Sequence, residues 1–424
     1  MKRRYGIIFL VVGLLTGGDV STAETRQLSG VIHLHTSYSS GRYSLEELVA
    51  KARQKQIEVL IPTDHDLVVM EYGLFPLRNL IKKREERPSI IKLGPEVYLA
   101  EIQRLNQTQN DVMILPGAQS SPFYYWTGHP LKKNLTAHDY RKELLLIGMQ
   151  KPEDYLHLPL LHNGFSTRYV LQQLPQAIVF VIAFCIGLYL VMQKGRLRAI
   201  GVIIAIISLL LLVDQHPFKS SRYDPYSGSQ GVAPYQETID YVRQRDGLVF
   251  WAHPESRYAA EGVSLGPVAL KTRPYPDDLA AARNYTGFSA VYGDTTTAAD
   301  PGRHWDQLLM QYCRNERDRP VWAIAGADFH VEKKGVALDT FQTVFCVQQK
   351  TMAAVMDALA RGQIYAVRKG SGPRLRLEYF RVKDTANGSA ARMGEEISVA
   401  GPPIVEGVIS VEDGGRHPVE VTVI

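Results

Sequence analysis

Apolar residues in this chain fall into short blocks that end at histidine or aspartate. Four blocks share this form: Val31–His35 (VIHLH), Val59–His65 (VLIPTDH), Leu248–His253 (LVFWAH) and Val321–His330 (VWAIAGADFH). Each reads as a buried strand with polar residues at its C-terminal end. Helical patterns lie between them. Ser44-Leu45-Glu46-Glu47 is a capping box, and Leu45, Leu48, Val49 and Ala52 form the apolar face that follows. Ile57–Ile61 is the next strand, so the chain opens as a β-α-β unit. Further strands are predicted at Val112–Leu115, closed by Pro116-Gly117, and at Leu144–Ile147. Helices are predicted at Tyr235–Arg245, Leu308–Cys313 and Thr351–Ala360, the last ended by Gly362. Pro88–Tyr98 fits neither period. From Arg374 the pattern changes to short alternating strands: LRLEYF, ISV, VEGVISV and VEVTVI. A parallel barrel sets its strand C-termini around one mouth, so the four terminal groups would converge there. His33 and His35 are two apart and so share a strand face, as do Asp328 and His330.

Two apolar runs are longer than any strand. Pro175–Met192 holds 18 residues without a charge, and Leu197–Val213 contains only Arg198. Lys194, Gly195 and Arg196 lie between them. Their length fits a transmembrane hairpin with a basic turn, against the rival reading of two buried core helices. Basic turns stay cytoplasmic, which puts both flanks outside. Lys2, Arg3 and Arg4, the apolar Ile7–Leu15 and the small Ser21-Thr22-Ala23 read as a signal peptide over residues 1–23, with an uncleaved anchor as the rival. This also places residue 24 onward outside the cytoplasm. Asp214–Pro234, rich in Ser, Gly, Pro and Tyr, is a linker leaving the membrane. The expected organisation is a barrel in two parts, residues 24–170 and 216–370, interrupted by the hairpin at 171–215. A β appendage occupies 371–424 and stops inside a strand-like run, as an edge strand or a truncated sheet would.

Composition narrows the functional classes. The 48 basic and 43 acidic residues leave a net charge of +5. With no dense basic run, nucleic acid is not the indicated partner. Cys185, Cys313 and Cys346 are far apart, so neither a disulfide framework nor a CxxC metal site follows. Imidazoles and carboxylates offered in pairs from several strands suit divalent metals instead. The sequons at Asn134, Asn284 and Asn387 matter only in a glycosylating host. His157, His162, His216, His304 and His417 have no patterned neighbours.

The motifs HLHTSYSSG at His33, PTDHD at Asp64 and His65, LPGAQ at Leu115, WAHPE at His253 and GADFH at Asp328 together resemble the PHP (polymerase and histidinol phosphatase) family. The resemblance spans residues 30–370 apart from the hairpin. It implies a distorted (β/α)7 barrel and a metal-dependent phosphoesterase acting through metal-activated water. It implies a metal site begun by His33 and His35 and continued by His65, His253, Asp328 and His330. The chain departs from the family pattern at Ser40, where aspartate or histidine is usual, and at Gln119, where a bridging glutamate is usual. It has Glu143 where histidine often precedes an apolar strand. Gln119 and Glu143 are thus candidate ligands, with His129 and His138 as spares. An amide offsets the repulsion between two cations less well than a carboxylate. Zn²⁺ or Mn²⁺, with Fe²⁺ a further candidate, is the expected cofactor at one to three ions. Asp64 is a proton shuttle, a cap, or a partner that orients an imidazole. Arg42, Lys333 and Lys334 could hold a phosphate, or be solvated. Trp126, Tyr124 and Tyr125 form a substrate wall or a packing cluster. The expected partner is a phosphorylated small molecule or other phosphoester, with a protein partner on the C-terminal β segment as an addition. Two readings stay beside the phosphoesterase: a membrane-tethered binding protein on a degraded scaffold, motivated by Gln119 and Ser40, and amide hydrolysis.

Overall fold

The computed structural model describes residues 25–294, 296–370 and 375–411. The expected signal peptide and the last predicted strand (VEVTVI) lie outside the described residues. In chain order the first part runs β1 (Arg26–Leu34), α1 (Leu45–Gln54), β2 (Val59–Pro62), β3 (Val69–Gly73), β4 (Lys82–Glu86), α2 (Ile90–Leu93) and α3 (Pro95–Thr108). It continues through β5 (Met113–Ile114), β6 (Gly117–Ser120), β7 (Tyr125–Thr127), β8 (Thr136–His138), β9 (Leu144–Ile147) and α4 (Pro152–Leu156). Two long helices follow, α5 (Val170–Val191) and α6 (Arg196–Asp214). Then come α7 (Ala233–Arg243), β10 (Leu248–Trp251), β11 (Val263–Leu265), β12 (Val268–Lys271), α8 (Asp278–Ala281), β13 (Gly287–Val291), α9 (His304–Cys313) and β14 (Trp322–Phe329). The chain closes with β15 (Phe341–Val347), α10 (Met352–Arg361), β16 (Ile364–Arg368), β17 (Leu375–Asp384), β18 (Ala390–Arg392) and β19 (Pro403–Val411).

Ten strands form one curled sheet in a mixed α/β fold. Its path is β16-β15-β1-β14-β13-β10-β9-β6, with β2 on the other side of β1 and β5 beyond β2. The inner face carries Ile32, Ile61, Leu145, Phe250 and Ile324, which pack with Val355 and Leu359 of α10. The outer face carries Leu60, Leu146, Val249 and Phe288 against Leu48 of α1, Ile102 of α3 and Ile239 of α7. Each such side chain contributes about 1.5–3 kcal/mol when fully buried. The predicted capping box is present: the Ser44 hydroxyl accepts from Glu47 N and the Glu47 carboxylate accepts from Ser44 N. The buried positions of α1 are Leu45, Leu48, Val49 and Ala52, as the period required. Thr351 caps α10 and Gly362 ends it.

The structure departs from the sequence reading in four places. The sheet is not wholly parallel, because β9 runs antiparallel to both β6 and β10. The strand before Pro116 ends there as expected, at Ile114, but Gly117 at once starts a further strand, β6, which carries Gln119. The predicted ISV strand is irregular, and β17 pairs with β18 and β19 instead. A four-stranded sheet, β11-β12-β8-β7, was not anticipated.

Helices α5 and α6 are long and apolar enough to cross a membrane. They pack against each other and leave most outward side chains exposed. Contact is close: a Cβ at Gly201 would lie 2.5 Å from Val191 N, and one at Gly187 would lie 2.6 Å from Ala205 N. Small residues of this kind let helix backbones approach.

Candidate metal centre

The site is built from strand ends. Between Ile32 and Leu34, β1 advances two residues while its neighbour β2 advances one, from Ile61 to Pro62. The extra residue is His33, held at φ 68°. This bulge decides where the rings point. Val31 and Leu34 both join the helix-facing core, and Ile32 joins the inner one. Unbroken alternation from Val31 would have sent His33 and His35 toward the helices, so spacing alone does not place them. Asp328 (φ 44°) and His253 (φ 28°) also have left-handed backbones. Three non-glycine residues in that region at one site represent stored strain of about 1–3 kcal/mol each. Gly41 completes the loop after β1: a Cβ there would lie 2.0 Å from the His35 carbonyl.

Asp328 is the hub. Its Oδ1 lies 3.1 Å from His330 Nε2, 3.4 Å from His33 Nε2 and 3.7 Å from His35 Nε2. Ligand atoms of His33, His35 and Asp328 all fall within 4.8 Å of one another. The rings of His35 and His330 stack at 4.2 Å, and the ring of His65 lies 4.8 Å from that of His35. His33 Nε2 is also 3.0 Å from Gln119 Oε1. On the other flank His33 stacks on His253 at 5.5 Å, and His253 Nε2 is 3.1 Å from Glu143 Oε2. Glu143 precedes β9. Because that strand is antiparallel, its start meets the ends of its neighbours, which explains how a residue ahead of a strand reaches the same mouth.

Protonation follows from burial and pairing. Burial pushes His33 and His65 down to about 3, so both imidazoles are neutral near pH 7 with a lone pair to offer. Burial would raise Glu143, but the hydrogen bond and charge of His253 outweigh it and hold the carboxyl at about 2. Asp328 sits at the mouth with its side chain about half exposed; its enclosure acts to raise it, and His33 and His330 hold it well below the carboxylate range. Burial lowers His253 and His330, but their partners Glu143 and Asp328 raise them overall.

Asp64 is fully buried and already engaged. Its Oδ1 accepts from Thr36 N (2.8 Å) and Ser39 Oγ (2.6 Å), and its Oδ2 accepts from Thr36 Oγ1 (2.8 Å). Ser39 Oγ in turn lies 3.3 Å from His35 Nδ1. Ser40 Oγ is 3.1 Å from His330 Nδ1, so the residue standing at a usual ligand position touches a candidate ligand. Arg42 and Lys333 are exposed, Arg42 joined to the site through its amide on the His330 carbonyl. Lys334 is exposed in the same turn as Lys333. His138 stacks on Tyr125 and His129 caps a short turn, so the spare candidates serve the small sheet. Tyr124 and Trp126 are buried in a packing cluster with Phe123 and Leu161. His162 is partly buried beside Glu71 and Tyr124.

Two residues escaped sequence reasoning. Arg141 lies over the Tyr258 ring at 4.8 Å, and its charge helps depress Glu143 and opposes protonation of His330. Its place two residues before Glu143 was the available signal. Asp66 is fully buried beside His65, with Oδ1 accepting from Leu67 N and Oδ2 without a hydrogen bond. Burial pushes it up to about 7. A carboxyl raised above its unfolded value of about 3.9 binds more protons folded than unfolded. Its cost is therefore absent below about pH 4 and complete above about pH 7, roughly 4 kcal/mol at most. In chelator-treated protein, Asp66→Asn is expected to remove that slope and raise stability at pH 8. Denaturant melts at pH 5 and 8 check this, and an unchanged slope would refute it.

A sequence model of the PHP domain matches residues 32–179. The match holds His33, His35, Asp64, His65, Gln119 and Glu143, while His253, Asp328 and His330 lie beyond it. No curated protein matches the chain in sequence. Among solved structures, the chain is similar to a two-domain protein from Bacteroides vulgatus ATCC 8482 containing a predicted PHP-like metal-dependent phosphoesterase. That match has 10% identity, 94% of this chain and 92% of that one covered, and a TM-score of 0.38. It is also similar to a candidate metal-dependent phosphoesterase from Bifidobacterium adolescentis ATCC 15703, at 15% identity, 73% and 90% coverage and a TM-score of 0.31. A third is an amidohydrolase from Chromobacterium violaceum with bound sulfate and no metal, at 13% identity, 72% and 89% coverage and a TM-score of 0.29.

Proposed function

We propose that this chain is a metal-dependent phosphoesterase of PHP type, tethered by α5 and α6 to a membrane, with its site outside the cytoplasm. The observation that carries this reading is the convergence of His33, His35 and Asp328 within 4.8 Å, where buried His35 Nε2 has no hydrogen-bond partner. A buried imidazole nitrogen without a hydrogen bond, beside a carboxylate, is a donor set that fits a divalent cation. The donor set suits Zn²⁺ or Mn²⁺, at one to three ions. His33, His35, Asp328 and His330 would hold an ion, and His65, the His253–Glu143 pair and Gln119 would offer further donors beside it. Such ions, when bound, polarise a phosphoryl oxygen and acidify water. The chain's own work is then positional. Neutral His33 and His65 offer lone pairs, and Asp64 fixes His35 through Ser39. Arg141, with Arg42 and Lys333 at the rim, offers cations to a phosphate. The main-chain bonds from Gln119 N to Asp64 O and from Asp66 N to Gln119 O, 3.0 and 2.9 Å, support closure of the sheet as a seven-stranded barrel. The basic Lys194-Gly195-Arg196 turn supports the extracytoplasmic placement. The small sheet β17-β18-β19 is available to a protein partner.

The test is metal content after incubation with Mn²⁺ or Zn²⁺ and desalting, followed by assay on phosphoesters with and without chelator. Metal retention with chelator-sensitive hydrolysis is expected; metal-free protein under these conditions would sink the proposal. The Gln119 contact with His33 favours a second reading, a binding protein that does not turn its ligand over. Gln119→Glu separates the two. If glutamine has degraded a catalytic centre, the variant gains about tenfold or more in metal affinity and acquires turnover. If glutamine is tolerated, the wild type is already active and the variant changes little.

A further inference from the structure

The end of the helix pair that joins the rest of the protein is bordered by exposed apolar side chains. Asp214, buried at the last turn of α6, accepts from the amides of Asn79 (2.7 Å) and Leu80 (3.0 Å). Asn79 Nδ2 donates to the Asp214 carbonyl at 2.8 Å. These bonds fix the turn between β3 and β4 against that helix end. The same turn exposes Leu74, Phe75, Leu80 and Ile81, with Phe75 81% exposed. Across the pair, Ser166 N donates to the Phe218 carbonyl, joining the segment that enters α5 to the one that leaves α6. Phe165, 80% exposed, and Phe218 lie there. Cations stand among them: the Arg78 guanidinium lies 5.6 Å over the Phe75 ring, and Lys83 is exposed on β4.

Clustered large apolar side chains on a surface need a partner. These adjoin two helices whose outward faces are also apolar, so the partner that covers the helices can cover them as well. We propose that the β3–β4 turn, with Phe165 and Phe218, seats in the interfacial layer of a lipid bilayer. Aromatic and aliphatic groups interleaved with arginine and lysine match that layer, where acyl chains meet phosphate headgroups. β3 starts just after Asp66 in the candidate metal centre, so this contact would set the height of the site above the lipid. The proposal rests on the membrane reading of α5 and α6.

The experiment uses the full chain in vesicles of zwitterionic and anionic phospholipid, with single nitroxide labels read for depth by oxygen and nickel-chelate accessibility. With Cys313→Ala and Cys346→Ala, native Cys185 on α5 reports the helix. Phe75→Cys and, as a second reporter, Ile81→Cys, each with Cys185→Ala, report the turn; Met352→Cys, likewise with Cys185→Ala, reports an exposed position at the start of α10. The expected result is deep lipid for Cys185, an interfacial depth for positions 75 and 81, and water for 352. Deep Cys185 with aqueous 75 and 81 would overturn the proposal alone, leaving the membrane reading intact and a protein partner as the occupant. Aqueous Cys185 would overturn the membrane reading and this proposal with it.

Discussion

Asp328→Asn is expected to lower metal-dependent turnover on the order of 10³-fold and to reduce retained metal. The reason is its position as hub: one oxygen lies 3.1–3.7 Å from three imidazole nitrogens. It is the one carboxylate in the tightest cluster among the described residues. An amide keeps the shape but brings no charge, so a cation there would lose its anionic ligand. Loss of about 4 kcal/mol of transition-state stabilisation corresponds to that rate effect. The metal-free protein supplies an independent readout. Asp328 raises His330, so the variant's His330 should titrate lower by NMR. Glu143→Gln is the comparison, because Glu143 touches His253 and should leave the His330 titration nearly unmoved. Full metal content and turnover in Asp328→Asn, with the fold intact by circular dichroism, would remove Asp328 from the centre.

Much of this arrangement was legible in the sequence because it depends on local pattern. The α1 face, its capping box and the Gly362 stop follow from period and backbone preference, and tertiary contacts do not override them. The two apolar helices were legible by length. The histidines and carboxylates were found because they end apolar blocks. What failed was direction. The sense of β9 depends on pairing between distant segments, which no local period records. The His33 bulge depends on β2 advancing one residue and β14 three where β1 advances two, so the two-residue spacing alone was an incomplete premise for where the rings point. β13, which pairs β10 with β14, went unread because Gly287–Val291 is short and lacks a terminal histidine. β4 consists of charged residues and offers no alternation. β7, β8, β11 and β12 are three or four residues each, and their partnership joins loops more than 120 residues apart. Asp66 was hidden by its neighbours: in PTDHD, His65 and Asp64 drew the chemical reading, and what sets Asp66 apart from the equally buried Asp64 is a carboxylate oxygen without a hydrogen bond.

Asp64→Ala is expected to destabilise the protein by about 3–5 kcal/mol, because three hydrogen-bond donors lose their buried acceptor. Both carboxylate oxygens accept hydrogen bonds, three in total, from Thr36 and Ser39. Removal leaves the Thr36 amide and two hydroxyls in a closed space, with each orphaned donor costing about 1–3 kcal/mol. A domain of this size would melt roughly 10 °C lower. The same residue was expected from sequence to shuttle a proton, to cap, or to orient an imidazole, and the first and last of these roles part company in the variant. An orienting role acts through Ser39 on His35, so metal affinity should fall about 10–100-fold while turnover recovers at saturating metal. A proton-shuttling role predicts the reverse: near-normal metal binding, and a loss of about 10²–10⁴-fold in turnover that added metal does not restore. Ser39→Ala sharpens the distinction. It breaks the link to His35 while leaving the Asp64 carboxylate and its Thr36 bonds in place, so under the orienting role it should reproduce part of the affinity loss at little cost in melting temperature. Measured at several metal concentrations below the variants' melting points, these profiles decide which way Asp64 serves the centre.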